Sequence, residues 1–387
     1  MTAKISYWMA FAHAQHFSNR RKMQFLVEVV HEKIPLEEAM KKVREGERDL
    51  FDFKDKEWEG LRSACEEIPN YSFLAEQLLE QGIRIIHVME KEAYPATLKE
   101  NMKMNTPVLI YAKGNAELLH EKSIAIVGAR NASGRSLTFT DKIAARGVEE
   151  GYVIVSGFAK GVDRQALDSA LKHKGRSIIV LPQGIDTFRN RTYYADILKR
   201  NILAISTYHP SAAWSVGLAM DRNKTIYGLA GKIYVAESGS SGGTWEGVLQ
   251  GLKSGRKIFV RKAFPDEKNA NNILISKGAI PVDEEGNEIS EKATEEPTVA
   301  EPSAGYPKTS KDYYEQEIIE RTLEELRKRK GKGITSKEIT QMLHLDEKSS
   351  RKLNRILSSS KALRKEKKGR YNFFHLSGDS PTQKKLF

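Results

Sequence analysis

Three glycine-containing turns each follow a short apolar run and precede a helical pattern. The first turn contains Gly128-Ala-Arg130, the second contains Ser156-Gly-Phe-Ala-Lys-Gly161, and the third contains Ser238-Gly-Ser-Ser-Gly-Gly-Thr244. In a parallel sheet, such turns join the carboxyl end of a strand to the next helix, whose first amides and partial positive charge attract anions. Glycine lets the backbone approach a phosphate closely, while Arg130 and Lys160 supply positive charge. The sequence therefore predicts a phosphate-binding edge built from these turns.

A separate polar cluster, Asp221-Arg222-Asn223-Lys224, precedes an apolar segment, and its composition is suited to contact with a backbone phosphate. Asp163, which follows the second turn, is expected to cap the next helix or to serve as a ligand. The alternative for each glycine turn is a tight connection that binds nothing. The residues expected to bind phosphate or nucleic acid are Gly128, Arg130, Ser156, Gly157, Lys160, Gly161, Arg222, Asn223, Lys224, Ser241, Gly242, Gly243 and Thr244.

Several familiar catalytic and cofactor motifs are missing from the sequence. The chain has no Gly-x-x-x-x-Gly-Lys-Ser/Thr segment, which argues against a P-loop ATPase. The first turn lacks the Gly-x-Gly-x-x-Gly fingerprint of dinucleotide binding, which argues against NAD. His87, His120, His173 and His209 lie far apart in sequence without metal-ligand spacing, and no Gly-x-Ser-x-Gly elbow occurs. We therefore expect no cofactor, no metal and no catalytic residues.

The composition favours a folded protein with a polyanionic partner. The 387 residues are 40% hydrophobic and carry a net charge of +12, with a pI near 9.4. Cys65 is the single cysteine, so an internal disulfide is excluded and a reducing cytoplasm is expected. No apolar run reaches the roughly 18 residues that a membrane span requires, and no signal-peptide pattern opens the chain. We expect a cytoplasmic protein that does not associate with a membrane.

Four regions differ in pattern along the chain. Residues 1–80 have apolar positions at helical spacing, and residues 81–282 alternate short strands with helices, which predicts βαβ units and a mainly parallel α/β sheet. Residues 283–312 are rich in glutamate and proline, which is typical of a linker. Residues 313–387 predict three helices closed by a basic hairpin, the order of a winged helix-turn-helix.

The C-terminal region carries most of the net charge. Residues 313–387 contain 19 lysines and arginines against 10 aspartates and glutamates. This excess favours nucleic acid or another acidic surface, and the alternative is a winged helix that docks to a protein. If the unit binds duplex DNA, we expect the helix 347–359 to enter the groove with Lys348, Arg351, Lys352 and Arg355.

Residues from about 94 to 262 resemble the DprA/Smf (DNA-processing protein A) family. Five segments occur in the family's order: Thr106-Pro-Val-Leu-Ile-Tyr-Ala-Lys-Gly-Asn115, Ile126-Val-Gly-Ala-Arg130, Ser156-Gly-Phe-Ala-Lys-Gly-Val-Asp163, Asp221-Arg-Asn-Lys-Thr-Ile-Tyr-Gly228 and Glu237-Ser-Gly-Ser-Ser-Gly242. The resemblance implies an extended Rossmann-like fold that binds single-stranded DNA without catalysis. It also implies a homodimer that passes the strand to a RecA-type recombinase during transformation.

The sequence departs from the family pattern at two turns. Family members usually have Gly-Ser-Arg where this chain has Gly128-Ala-Arg130, so a hydroxyl donor is lost. The segment Ser241-Gly-Gly-Thr-Trp-Glu246 is similar to the signature of the nucleotide-cleaving LOG proteins. That similarity leaves open an alternative, a nucleotide-binding sensor or a nucleoside-monophosphate hydrolase that uses Arg130 and Glu246. Such a protein could serve in defence against foreign DNA.

Overall fold

The computed structural model describes residues 2–48, 51–188, 192–289, 310–329, 333–343, 347–368 and 371–377. In chain order, these ranges form a helical N-terminal region, an α/β domain and a C-terminal unit of helices and short strands. Across the described ranges, we find no helix with the length and apolar character needed to cross a bilayer.

The N-terminal region is helical, which confirms the prediction for this part of the chain. Its helices are α1 (Thr2–His13), α2 (Asn19–His31), α3 (Leu36–Glu45), α4 (Asp55–Glu66) and α5 (Ile68–Glu80). Phe11, Phe25 and Met40 are fully buried between these helices, and the buried positions of α2, α3 and α4 recur on one face of each. Their apolar cluster continues into the sheet through Tyr111. The region therefore shares a core with the α/β domain.

The sheet of the α/β domain contains nine strands among the described residues. They are β1 (Ile83–His87), β2 (Leu109–Gly114), β3 (Ser123–Gly128), β4 (Val153–Ser156), β5 (Ser177–Val180), β6 (Ile202–Ser206), β7 (Lys232–Glu237), β8 (Ile258–Arg261) and β9 (Ile280–Val282). Strands β3 to β9 pair in parallel, and β1 and β2 add an antiparallel edge. Because helices cover the central strands, β4, β5, β6 and β8 are buried along their length. The predicted mainly parallel sheet is confirmed.

The helices of this domain connect its strands. They are α6 (Ala96–Met102), α7 (Gly134–Glu149), α8 (Val162–Lys172), α9 (Tyr194–Leu198), α10 (Val216–Leu229), α11 (Gly243–Lys253) and α12 (Asn271–Ser276). Helix α10 is not predicted from the sequence, in which residues 221–224 form a polar cluster ahead of an apolar segment. Those residues instead lie within α10, whose start is fixed by Ser215, the hydroxyl of which accepts a hydrogen bond from Leu218 N at 3.2 Å.

The strand order brings the three glycine turns to one edge. The order is β1-β2-β6-β5-β4-β3-β7-β8-β9, so the chain runs from β3 outward to β6 and then returns to the other side of β3. Ligands of open α/β sheets bind in the crevice at the carboxyl ends of the strands where such a reversal occurs. The first, second and third turns follow β3, β4 and β7, which are direct neighbours.

The start of the predicted acidic linker packs on the α/β domain. Glu284 Oε1 lies 3.0 Å from Arg261 Nη1, and Glu285 Oε1 lies 2.6 Å from Lys142 Nζ. Residues 283–289 therefore extend the domain instead of beginning a linker. Residues 290–309 of the predicted linker lie outside the described residues, and its last residues, 310–312, open a helix.

The C-terminal unit has the element order of a winged helix-turn-helix. Its elements are α13 (Ser310–Lys328), β10 (Ile334–Thr335), α14 (Ser336–Met342), α15 (Glu347–Ser358), β11 (Leu363–Lys368) and β12 (Tyr371–Leu376). The strands pair antiparallel in the order β10-β12-β11. Ile318, Leu353 and Phe374 are fully buried in an apolar cluster that joins the helices to this small sheet.

Candidate nucleic-acid interface

The first and second turns touch each other. Val162 N donates a hydrogen bond to Ala129 O at 3.3 Å. Gly161 has a φ of +75°, and a Cβ at this position would lie 2.3 Å from Arg130 O. Only glycine fits there, because any side chain would displace the neighbouring backbone. This close approach brings Arg130 and Lys160 to the same side of the sheet.

Asp163 and Arg222 are buried beneath the second turn and stabilise it. Asp163 is 7% exposed and accepts hydrogen bonds from the backbone amides of Gly157 and Ala159. Arg222 is 4% exposed, and its Nη1 donates to Val180 O at 2.9 Å. A Cβ on Gly157 would lie 1.8 Å from that nitrogen, so the glycine makes room for the guanidinium. Burial raises the pKa of Asp163, and the charge of Arg222 acts against that rise.

This arrangement changes what the second turn offers to a ligand. The Ser156 hydroxyl is buried and donates to Asp163 O at 2.6 Å. Together with the amides that Asp163 engages, it serves the turn's own structure. The side chain of Lys160 is 71% exposed, and its Nζ lies 2.6 Å from Glu324 Oε1 on α13. Direct phosphate contact by Ser156 and Gly157 stays a prediction.

A buried carboxylate stands at the start of α7. Glu237 is 2% exposed, and its Oε2 accepts from Ser133 N at 2.9 Å and from Ser136 Oγ at 2.7 Å. Arg261 Nη2 also donates to Ser136 Oγ at 3.1 Å. A negative group at a helix N-terminus is stabilised by the unpaired amides there. The carboxylate of Glu237 thus occupies the place at the N-terminus of α7 where an external anion could otherwise bind. Sequence reasoning missed this role, although an acidic residue ending a central strand was a usable signal.

The third turn is more enclosed than the sequence suggests. Ser241 and Gly242 are buried, and Gly243 and Thr244 open α11. Ser238 N donates to Asn271 Oδ1 at 2.9 Å, which ties the turn to α12.

A cavity of about 890 Å³ lies beyond the carboxyl ends of β4 and β5, between the α/β domain and α13. Of the predicted phosphate-binding residues, its lining contains Arg130, Gly157, Lys160 and Arg222. Within the described residues, Gly128, Ser156, Gly161, Asn223, Lys224 and Ser241–Thr244 are not part of that lining. Glu246 is exposed on α11 and does not line the cavity either, so the two residues of the hydrolase alternative do not share it.

An aromatic and cationic group lines the same cavity. The guanidinium carbon of Arg164 lies 4.1 Å from the ring centroid of Phe158, and Phe158 meets Phe188 edge to face at 5.6 Å. Arg164 Nη1 also hydrogen-bonds the Tyr193 hydroxyl at 3.2 Å. Flat aromatic and guanidinium surfaces beside cations are what bases and phosphates of a single strand require. Sequence reasoning missed this group, although an aromatic residue inside the second turn pointed to it.

The remaining predicted cations are placed elsewhere. Lys224 Nζ pairs with Asp221 Oδ1 at 2.7 Å on α10, and both side chains are 48% exposed. On α15, Lys352 and Arg355 are exposed, and Arg355 Nη2 lies 3.6 Å from Glu315 Oε1. The side chains of Lys348 and Arg351 lie outside the described residues. Groove contact by α15 therefore stays a prediction.

Similar proteins share this domain. The family described as DNA recombination-mediator protein A matches residues 85–294, more than half of the chain. The DNA processing protein DprA of Streptococcus pneumoniae is 32% identical over 170 residues, covering 43% of this chain and 59% of that protein. The Bacillus subtilis DNA processing protein DprA is 30% identical over 183 residues, covering 46% and 61%. The chain thus spans about three fifths of the length of these relatives.

The fold has a solved counterpart. The X-ray structure of DNA processing protein A from Streptococcus pneumoniae aligns with a TM-score of 0.55 and 24% sequence identity. The alignment covers 72% of this chain and 94% of that one. At this identity the likeness concerns the fold.

Proposed function

This chain belongs to the DNA recombination-mediator protein A family, and from that premise we propose that its α/β domain binds single-stranded DNA. The binding site is the cavity at the carboxyl ends of β4 and β5. Arg130 and Lys160 contact backbone phosphates, and Phe158, Phe188 and Arg164 offer surfaces on which bases stack. The protein binds the strand and performs no bond chemistry on it.

The observation that supports this proposal is the shared lining of one cavity by cations and aromatic rings. Phosphate contacts alone would suit a duplex, whose bases are stacked inside. Aromatic faces beside the cations suit unstacked bases, which only a single strand presents. The net charge of +12 favours approach of any polyanion from a distance.

A titration of the full chain with a labelled oligothymidine tests the proposal. We expect saturable binding that exceeds the affinity for a duplex of equal length. Phe158→Ala is expected to weaken binding by about 1–3 kcal/mol, which is the typical contribution of one stacked base. Phe73→Ala is the matched control, because Phe73 is 64% exposed on α5. Equal affinity for single strand and duplex, with no effect of Phe158→Ala, would refute the proposal.

The hydrolase alternative is tested with adenosine monophosphate. The proposal predicts no release of adenine from the wild-type protein. Release of adenine that disappears in Glu246→Gln would establish the alternative, because that substitution keeps the size of the side chain and removes its charge.

The proposal extends to assembly and to a protein partner. The homodimer and the transfer of the strand to a RecA-type recombinase are what the family resemblance implies. We expect a mass of two chains by sedimentation and faster assembly of such a recombinase on DNA coated with this protein. A monomer at all concentrations, or slower recombinase assembly, would remove these two parts of the proposal.

A further inference from the structure

The acidic side of α13 lies on the first and second turns. Lys160 Nζ is 2.6 Å from Glu324 Oε1, and Asn131 Nδ2 donates to Glu320 Oε1 at 3.4 Å. Glu320 and Glu324 are four residues apart, so they project from the same face of the helix. We call these two residues the acidic face of α13. This face meets the α/β domain at one of the two cations that the proposed function assigns to phosphate.

A second contact holds α13 in this position. The guanidinium carbon of Arg321 lies 3.8 Å from the ring centroid of Trp214, which is part of the loop before α10. Trp214 also packs against the apolar cluster of the C-terminal unit. The contact combines a cation–π interaction with apolar burial and does not involve Lys160. Two separate interactions therefore keep the helix over the cavity.

We propose that the acidic face of α13 is an internal competitor of single-stranded DNA, occupying the phosphate positions of the cavity until the nucleic acid displaces it. This inference rests on the proposed function. A carboxylate presents anionic oxygen acceptors, as a phosphate does, and both bind the same ammonium group. Lys160 and Glu324 both line the cavity with their charged atoms 2.6 Å apart, so a phosphate bound to Lys160 would be repelled by the negative charge of Glu324. Binding of the strand and opening of the α13 contact are therefore coupled.

The contact is weak enough to open. The side chains of Lys160 and Glu324 are 71% and 31% exposed, and ion pairs at such positions are screened by water and salt. Lys160 holds the pKa of Glu324 below its ordinary value, so the carboxylate stays charged at neutral pH. A strand that engages several phosphates and bases at once can replace these few interactions.

Three variants of the full chain test the competition in the oligothymidine titration. Glu320→Gln/Glu324→Gln removes the acidic face and is expected to tighten binding by about three- to ten-fold, the range that one ion pair and one polar contact allow. Glu76→Gln/Glu80→Gln makes the same change in net charge on the exposed side of α5 and is the matched control. Arg321→Gln weakens the contact with Trp214 while it removes a positive charge.

Arg321→Gln decides between competition and simple electrostatics. The proposal expects it to tighten binding by about two- to five-fold, because the loosened helix leaves the cavity more often. Simple electrostatics, or a direct role of α13 in holding the strand, expects weaker binding. If the wild type binds and Arg321→Gln does not bind more tightly, or if the two glutamine pairs have equal effects, the competition is refuted and the proposed function stands. If no variant binds the oligothymidine, both are refuted.

Discussion

Replacing Asp163 by asparagine removes the negative charge that faces Arg222 inside the second turn. Both residues are less than a tenth exposed, at 7% and 4%, so solvent cannot replace the lost partner. Removing one member of a buried charge pair typically costs about 3–5 kcal/mol, because the other charge stays buried without compensation. For a domain of this size, that loss lowers the midpoint of thermal unfolding by roughly 10 °C.

Urea-induced unfolding followed by circular dichroism measures this cost. Asp221→Asn is the matched control, because Asp221 pairs with Lys224 on α10, where both side chains are 48% exposed, and its loss is expected to cost at most about 1 kcal/mol. The double variant Asp163→Asn/Arg222→Met removes both charges and is expected to regain most of the loss. If Asp163→Asn costs no more than Asp221→Asn, the assignment of Asp163 and Arg222 as the internal support of the turn is wrong.

Three further predictions concern the surroundings of the cavity and the C-terminal unit. Arg261 is fully buried between Glu267 and Glu284, so Arg261→Met is expected to destabilise the domain by about 3–5 kcal/mol in the same urea experiment. Gly161→Ala forces a Cβ to 2.3 Å from Arg130 O, and we expect a loss of about 1–3 kcal/mol together with weaker oligothymidine binding; unchanged binding would contradict the placement of this turn. Hydrogen bonds from Arg329 and Thr335 lower the pKa of Glu338 to about 2. Because an unfolded glutamate has a pKa near 4.3, this carboxylate stabilises the fold above about pH 4.3 and its contribution disappears as the pH falls toward 2. The stability of the C-terminal unit should therefore fall less between pH 5 and pH 3 in Glu338→Gln than in the wild type, as fluorescence-detected unfolding at each pH would record.

The local patterns of the sequence were sufficient to predict a mainly parallel sheet. The buried strands are short apolar runs, and β3, β4 and β7 each lead into a glycine turn, as in Ile126–Gly128. Such runs are recognised from residues that are neighbours along the chain. The adjacency of the three turns also followed, because carboxyl ends of neighbouring parallel strands meet at one edge. Arg130 and Lys160 were found for this reason.

The features that could not be predicted from the sequence depend on contacts between residues that are distant along the chain. In the sequence, Arg222 resembles a surface cation within a basic cluster. In the structure it is buried, and its charge interacts with that of Asp163, which is distant in sequence. Glu284 looks like part of an acidic linker, yet it neutralises the buried Arg261. The contact of Glu324 with Lys160 joins two units whose patterns are independent. In each case the position of a charged side chain depends on an oppositely charged partner that is distant in sequence, and local sequence patterns do not identify such a partner.

The salt dependence of oligothymidine binding tests the central claim most directly. For single strands, the logarithm of the binding constant changes by about 0.7 per phosphate contact for each tenfold change in salt. We predict that Arg130→Met and Lys160→Met each reduce that slope by about 0.7 and weaken binding. Lys172→Met, at the far end of α8 where Lys172 pairs with Asp141, should leave the slope unchanged. Slopes for Arg130→Met and Lys160→Met equal to that of the wild type would contradict a phosphate-binding cavity at this edge of the sheet.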